Sequence, residues 1–175
     1  ARPRLRAVSA DPARRRLALL YGLAAFGTGA VFIVLSRAFL LGLWVSFALL
    51  LVACAYGFLG AEAFQKGADG RMSLAARVLL FPYLVGAFVN SRLWGSTDHD
   101  ELVPGVLLGR YPTSLDGVRS LVDVSAELPA RPGTLPYRVV PVLDLVVPSV
   151  DEIAAGVEAL ASFASCRPTL VACAL

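Results

Sequence analysis

Two long uncharged apolar runs follow each other near the start of this sequence and decide what kind of fold the chain can adopt. The first, Leu17 to Leu35, has 19 residues, and the second, Phe39 to Gly60, has 22. At a rise of about 1.5 Å per residue, each run is long enough as a helix to cross a hydrocarbon core of about 30 Å. A signal peptide is the competing interpretation of the first run, but that run is longer than an ordinary signal core and no cleavage region precedes the second. We therefore expect two transmembrane helices in residues 17–60, joined as a hairpin.

The composition also points to a lipid environment. Of the 175 residues, 57% are hydrophobic and 17% are charged, and the mean hydropathy is +0.70. An ordinary soluble domain carries more charge and less apolar surface. Part of the chain should therefore lie in lipid.

The basic residues predict the orientation of the hairpin. An arginine-rich arm, residues 1–16, precedes the first run, and Lys66, Arg71 and Arg77 follow the second, whereas Arg37 alone lies between the runs. Because cytoplasmic loops carry an excess of lysine and arginine, we expect both flanks in the cytoplasm and the protein in the inner membrane. Arginines that flank apolar runs are more simply topology signals than a nucleic-acid site, so we expect no nucleic-acid partner.

The next segment, residues 61–94, is harder to assign. Its uncharged core, Val78 to Val89, has only 12 residues and contains Pro82, which is short for a span. We interpret it as an interfacial or re-entrant helix, with Tyr83 and Trp94 at the level of the lipid headgroups. A third span is the alternative, and it would place the rest of the chain outside the cell.

Residues 95–175 have the pattern of a small α/β domain. A polar, turn-rich linker, GSTDHDELVPG, opens the domain, and short apolar runs then alternate with turn signals. We expect strands in GVLLG, SLVDVSAE, YRVVPVLDLVV and TLVAC, and a helix in SVDEIAAGVEALASFAS. Ser149 and Glu152 predict a capping box at the start of that helix. Its predicted apolar stripe consists of Ile153, Val157, Leu160 and Phe163 or Ala164.

The last predicted strand ends at Cys173, a position that suggests chemistry. Open α/β sheets bind ligands at the carboxyl ends of their strands, where a following loop can turn its backbone N–H groups inward. Such N–H groups favour a thiolate and also hold a phosphate dianion. The three cysteines lack paired spacing, which argues against a disulfide framework or a structural zinc site and suits a reducing compartment. His99 stands among adjacent carboxylates that cannot all converge on one ion, so we expect no metal and no cofactor.

Cleavage of a phosphate ester also needs an acid that protonates the leaving oxygen. Asp144 lies 29 residues before Cys173 with one helix between them, so its strand end is expected to neighbour the strand that ends at Cys173. Asp151 and Glu152 are poorer candidates, because the helix dipole explains acidic side chains in a first helical turn. We therefore predict Asp144 as the proton donor.

Four stretches in this order, GVLLGRYPTS, LVDVSAELP, YRVVPVLDLVVPSVDEI and PTLVACAL, resemble the first two-thirds of a dual-specificity protein phosphatase domain. The apolar hairpin followed by FQKGADGRMSLAARVLLFPYLVGAFVNSRLW resembles bacterial membrane proteins in which such a domain follows membrane helices. The resemblance implies an α-helical membrane hairpin followed by an incomplete α/β dual-specificity-phosphatase-like domain. It also implies Cys173 as the nucleophile that forms a phosphocysteine, and Asp144 as general acid and then general base.

The sequence departs from the family pattern in two respects. Ala172 stands where many members have a histidine before the cysteine, which removes one hydrogen-bonding support of the thiolate. The family signature is Cys, five residues, then Arg, and this arginine would lie beyond Leu175. We expect the chain to be a fragment that begins abruptly at Ala1, is cut inside the catalytic loop and is inactive as given.

Simpler explanations exist for these residues. Cys173 can be a small buried apolar residue at a strand end, and Asp144 can cap a turn. Cys166 lies in a loop and is explained as incidental. Arg110 and Arg138 could assist an anionic substrate, although arginines at strand ends are ordinarily at the surface.

Two classes of function follow from these patterns. The first is a membrane-anchored, cysteine-dependent phosphatase that acts on a phosphorylated protein or on a phosphorylated lipid headgroup, as do the mitochondrial phosphatidylglycerophosphate phosphatases that it resembles. The second is a noncatalytic membrane module whose α/β domain binds a phosphorylated partner. The arginine of the family signature would favour the enzyme, and another residue there would favour the module. A rhodanese-like sulfurtransferase is a third alternative, but it leaves Asp144 unexplained.

Overall fold

The chain opens with two long apolar helices. The computed structural model describes residues 11–35, 39–93, 99–111 and 115–173. Helix α1 is Pro12–Leu35 and helix α2 is Phe39–Cys54. Helix α2 continues through a π-helical turn, Ala55–Leu59, and a 3₁₀ turn, Gly60–Phe64. Both α1 and the α2 segment are long and apolar enough to cross a membrane, which confirms the two predicted apolar helices.

Helices α1 and α2 pack as an antiparallel pair. Ala18, near the start of α1, lies against Gly57 just beyond α2, whereas Phe32 near the end of α1 packs on Gly42 near the start of α2. A Cβ at Gly42 would overlap the Phe32 ring, so the absence of a side chain allows this close approach. The outer surface of the pair carries large apolar side chains that are more than half exposed, among them Leu23, Phe26, Leu40 and Leu41.

The segment after the hairpin forms two helices rather than the single predicted one. Helix α3 is Leu74–Leu79 and helix α4 is Phe81–Leu93, and the break at Leu80 comes just before Pro82. The 13 residues of α4 span about 20 Å, which is too short to cross a bilayer. Within the described ranges, only α1 and the α2 segment have the length and apolarity of a span.

Helices α3 and α4 lie against the side of α2. The Trp44 side chain donates a hydrogen bond from Nε1 to the Val78 carbonyl oxygen at 3.0 Å and stacks on Phe81 with ring centroids 5.8 Å apart. Tyr83 was expected at the headgroup level, but it is buried against Tyr21. That expectation was wrong because Tyr83 faces the protein; Trp94 lies outside the described residues.

The remainder is a mixed sheet with one helix packed on it. The strand order is β1-β2-β5-β3-β4, in which β1 is antiparallel to β2 and the other pairs are parallel. The predicted strands and helix are confirmed, but the predicted linker contains a further edge strand, β1. The elements are β1 (Asp100–Val103), β2 (Val106–Arg110), β3 (Ser120–Ser125), β4 (Tyr137–Val142), α5 (Val150–Ser162) and β5 (Thr169–Cys173).

Helix α5 begins with the predicted capping box. The Ser149 hydroxyl accepts the N–H of Glu152, and the Glu152 carboxylate accepts the N–H of Ser149. The predicted apolar stripe is only partly correct: Ala159 and Phe163 are buried against β3 and β4, whereas Ile153 and Val157 are more than half exposed. The helix therefore packs through its C-terminal half.

One apolar core joins the hairpin to the sheet. Tyr56 and Phe64 at the end of the α2 segment pack in the same cluster as Ala126 and Leu143, which follow strands β3 and β4. Near the start of α1, Tyr21 packs against this cluster from outside. The α/β domain is therefore docked on the end of the hairpin that lies next to Arg14, Arg15 and Arg16.

Candidate functional site

A cavity of about 260 Å³ lies at the carboxyl ends of β3, β4 and β5, beside the start of α5. Both residues proposed from the sequence, Cys173 and Asp144, line it. Its other described walls come from Val124, Ser125, Val140, Val142, Leu143, Pro148, Glu152, Ile153 and Gly156. The topology thus gathers the cysteine, the aspartate and a helix N-terminus around one space.

Cys173 is the last residue of β5 and is half-buried. Its backbone is held on one side by β2: its Cα is registered opposite that of Arg110, and its carbonyl oxygen accepts the N–H of Tyr111 at 3.2 Å. A thiol at this position faces the sheet edge where parallel α/β sheets bind ligands.

Asp144 follows β4, and its location differs in one respect from the expectation. The strand ends at Asp144 and Cys173 were expected to be neighbours, but β3 lies between β4 and β5. The reason is that β5 inserts between β2 and β3, an order that sequence spacing does not reveal. The two side chains nevertheless border the same cavity, because the ends of three adjacent strands share one edge.

The surroundings of Asp144 favour its protonated form. Burial raises the pKa of its carboxyl group, while the N–H of Leu145 and the positive charge of Arg110 oppose this shift. Leu145 adopts a left-handed backbone conformation with a φ of 55°. For a residue other than glycine, this conformation costs on the order of 1 kcal/mol and is often found at functional sites. The backbone here is thus bent at the residue whose N–H meets the carboxylate.

Glu127, just after β3, holds the backbone of Asp144. Its side chain is buried, and its Oε1 accepts the N–H of Asp144 at 3.2 Å. The hydroxyls of Tyr56 and Tyr83 also hydrogen-bond to the Glu127 carboxyl group. The Tyr56 hydroxyl lies 3.1 Å from the Asp144 carbonyl oxygen as well. Glu127 and a tyrosine of the second apolar segment therefore hold the N–H and the C=O of the candidate acid.

The hydrogen-bond count in this cluster is best satisfied when Glu127 is protonated. A tyrosine hydroxyl has one hydrogen, so Tyr56 cannot donate fully both to Glu127 and to Asp144. A protonated Glu127 can donate to the Tyr56 oxygen, which frees the Tyr56 hydrogen for the Asp144 carbonyl. Burial raises the pKa of Glu127, and its hydrogen bonds from Tyr56, Tyr83 and Asp144 only partly offset that shift.

The remaining residues considered from the sequence fall in two groups. Arg110 is close enough to Asp144 for its positive charge to lower the pKa of that carboxyl group, and its Cα is registered opposite that of Cys173, but Arg110 does not line the cavity. Cys166 instead packs against the apolar cluster under α5, and Arg138 is exposed on β4. Among the described residues, no group of histidine, cysteine and acidic side chains could hold a metal ion.

A buried ion pair supports the strand beneath the cavity. Lys66 reaches Asp123 of β3 with an Nζ to Oδ2 distance of 2.7 Å, and both side chains are 1% exposed. Lys66 also donates to the Ser125 carbonyl oxygen, and Asp123 accepts from the Tyr137 hydroxyl and the Ser125 N–H. This network ties the turn between α2 and α3 to β3.

Sequence reasoning missed Glu127 and Tyr56. Glu127 carried a usable signal, an acidic residue directly after a buried strand. Tyr56 carried none, because its neighbours look like any apolar membrane segment. Comparison with protein-family models, curated proteins and solved structures finds no match for this chain.

Proposed function

We propose that this protein is a membrane-anchored, cysteine-dependent phosphatase that hydrolyses phosphomonoesters at the cytoplasmic face of the inner membrane. The observation that carries the proposal is the cavity shared by Cys173 and Asp144. The substrate is a phosphorylated protein or a phosphorylated lipid headgroup. The cytoplasmic placement rests on the basic flanks and on the docking of the α/β domain at that end of the hairpin.

The proposed reaction has two steps. The Cys173 thiolate attacks phosphorus, the bond from phosphorus to the leaving oxygen breaks, and Asp144 gives its proton to that oxygen. Water then attacks the phosphocysteine, Asp144 takes a proton from the water, and inorganic phosphate leaves with regeneration of the thiolate. Burial of Asp144, which raises its pKa, suits a group that must be protonated in the first step.

The test is hydrolysis of phenyl phosphate, whose leaving oxygen needs a proton, by the native protein. We expect Cys173→Ser to abolish activity and Asp144→Asn to lower kcat by about 10²- to 10⁴-fold, the usual contribution of general acid catalysis. The matched controls are Cys166→Ser and Asp151→Asn, which replace a cysteine packed under α5 and an acid of its first turn.

The covalent step has its own readout. Rapid quenching should trap a phosphorylated peptide that contains Cys173 and is absent from Cys173→Ser. Undiminished hydrolysis by Cys173→Ser would exclude the mechanism. Substrate binding without any turnover by the intact protein would instead favour the noncatalytic binding module.

A further inference from the structure

A second and larger groove, of about 650 Å³, lies between helix α4 and the α/β domain. One wall is apolar and comes mainly from α4, with Phe81, Val85 and Phe88 exposed along it. The opposite wall comes from the end of β2 and from the loop that includes Leu128 and Arg131. This groove, which we call the arginine groove, is separate from the cavity of Cys173 and Asp144.

Four arginines line the arginine groove, and no acidic residue does so within the described chain. Arg77 and Arg131 are exposed at its rim. Arg92 stacks over the Phe88 ring with its guanidinium carbon 5.2 Å from the ring centroid. Arg110 donates a hydrogen bond to the Ser91 carbonyl oxygen at 3.1 Å. The groove therefore combines a strong positive charge with an apolar wall.

This combination fits an amphiphilic anion. Guanidinium groups bind phosphate oxygens in a bidentate geometry, and basic pockets beside membrane helices bind acidic headgroups. A free phosphate or a soluble phosphorylated molecule would leave the Phe81, Val85 and Phe88 wall unused. An acyl chain can lie along that wall, because the outward side of α4 continues it with Val89 and Leu93, both exposed.

We propose that the arginine groove binds the headgroup of an anionic phospholipid from the leaflet around the hairpin, with an acyl chain along α4. The inference uses the membrane placement of the proposed function but not its chemistry. The lipid would fill the space between α4 and the α/β domain, and its phosphate would pair with Arg77 and Arg131.

Trp44 provides a probe, because it stacks on Phe81 of the groove wall. The chain has two tryptophans, so Trp94→Phe leaves Trp44 as the sole emitter. The protein is placed in dioleoylphosphatidylcholine vesicles that contain dioleoylphosphatidylglycerol, with either one lipid or the other carrying brominated acyl chains. We expect brominated phosphatidylglycerol to quench Trp44 several-fold more efficiently than brominated phosphatidylcholine at equal mole fraction.

Matched variants separate the groove from general surface charge. The groove variant, Arg77→Gln with Arg131→Gln, should reduce the ratio of quenching by brominated phosphatidylglycerol to quenching by brominated phosphatidylcholine to about one. The control variant, Arg119→Gln with Arg138→Gln, replaces two exposed arginines outside the groove and should keep the ratio of the parent. Added glycerol phosphate should not displace the lipid. Any of four results would overturn the proposal: equal quenching by both lipids, a preference that survives in the groove variant, an equal loss of preference in the control variant, or displacement of the lipid by glycerol phosphate. The readout involves no catalysis, so its failure is distinguishable from failure of the phosphatase mechanism.

Discussion

Glu127 offers a sharp test of how the candidate acid is positioned. Glu127→Leu removes the hydrogen-bonding partner of the Asp144 N–H and of the hydroxyls of Tyr56 and Tyr83. Tyr56 can turn to the Asp144 carbonyl oxygen at 3.1 Å, but the N–H of Asp144 is left without its acceptor. A buried donor stranded in this way costs about 1–3 kcal/mol. We expect the ratio of molecules with Asp144 correctly placed to molecules with Asp144 displaced to fall about 5- to 150-fold.

The assay compares two substrates with different leaving groups. Phenolate is a poor leaving group and needs the proton from Asp144, whereas p-nitrophenolate leaves readily without it. Glu127→Leu should therefore slow phenyl phosphate hydrolysis by up to this factor and p-nitrophenyl phosphate hydrolysis much less. Glu127→Gln keeps an acceptor oxygen for the Asp144 N–H and should stay close to the parent on both substrates.

A milder variant distinguishes displacement of Asp144 from a general loss of folding. Tyr56→Phe keeps the ring that stacks on Tyr21 at 5.6 Å and removes only the hydroxyl beside Asp144. It should show the same selective loss on phenyl phosphate, with a smaller factor. Equal losses on the two substrates, in either Glu127→Leu or Tyr56→Phe, would refute a role in placing the acid and would point to a general effect on the fold.

Two further predictions concern stability in detergent. Because burial raises the pKa of Glu127, the folded protein binds the proton of this carboxyl group more tightly than the unfolded chain does. The free energy of unfolding should therefore fall as the pH rises above the ordinary carboxyl pKa of 4.5. Glu127→Gln should flatten this dependence in melting temperatures measured from pH 4 to pH 8. Lys66→Met leaves Asp123 buried without its cation and should lower the free energy of unfolding, measured by urea titration, by about 3–5 kcal/mol. The double variant Lys66→Met, Asp123→Asn should recover much of that loss. Equal instability of the single and the double variant would contradict the stabilising role of the ion pair.

The parts of the fold that the sequence predicted are those set by local signals. Two uncharged apolar runs specify the two long helices, because a helix satisfies the hydrogen bonds of its backbone N–H and C=O groups within the run itself. The capping box of α5 is likewise local, since Ser149 and Glu152 are three residues apart. The strand at Cys173 was recognisable because a short buried strand needs only a few apolar residues between turn signals.

The errors concern contacts between distant segments. Strand β1 is exposed along its length and has no apolar alternation, so DELV gave no strand signal. Ile153 and Val157 follow helical spacing, yet both are more than half exposed, and α5 packs on the sheet through Ala159 and Phe163. Tyr83 looked like a headgroup residue because its partner, Glu127, comes 44 positions later. Each error arose because the deciding neighbour was far away in the sequence.

The most consequential of these distant contacts connects the second apolar segment to the candidate site. Tyr56 lies in the π-helical turn Ala55–Leu59, where an extra residue per turn changes the direction in which the following side chains project. Its hydroxyl reaches past the end of the hairpin to Glu127 and to the Asp144 carbonyl oxygen. Any tilt of α2 against the sheet would therefore move the backbone that carries the acid. On this geometry the hairpin supports the backbone of the candidate acid, and the position of Asp144 depends on how the hairpin packs against the sheet.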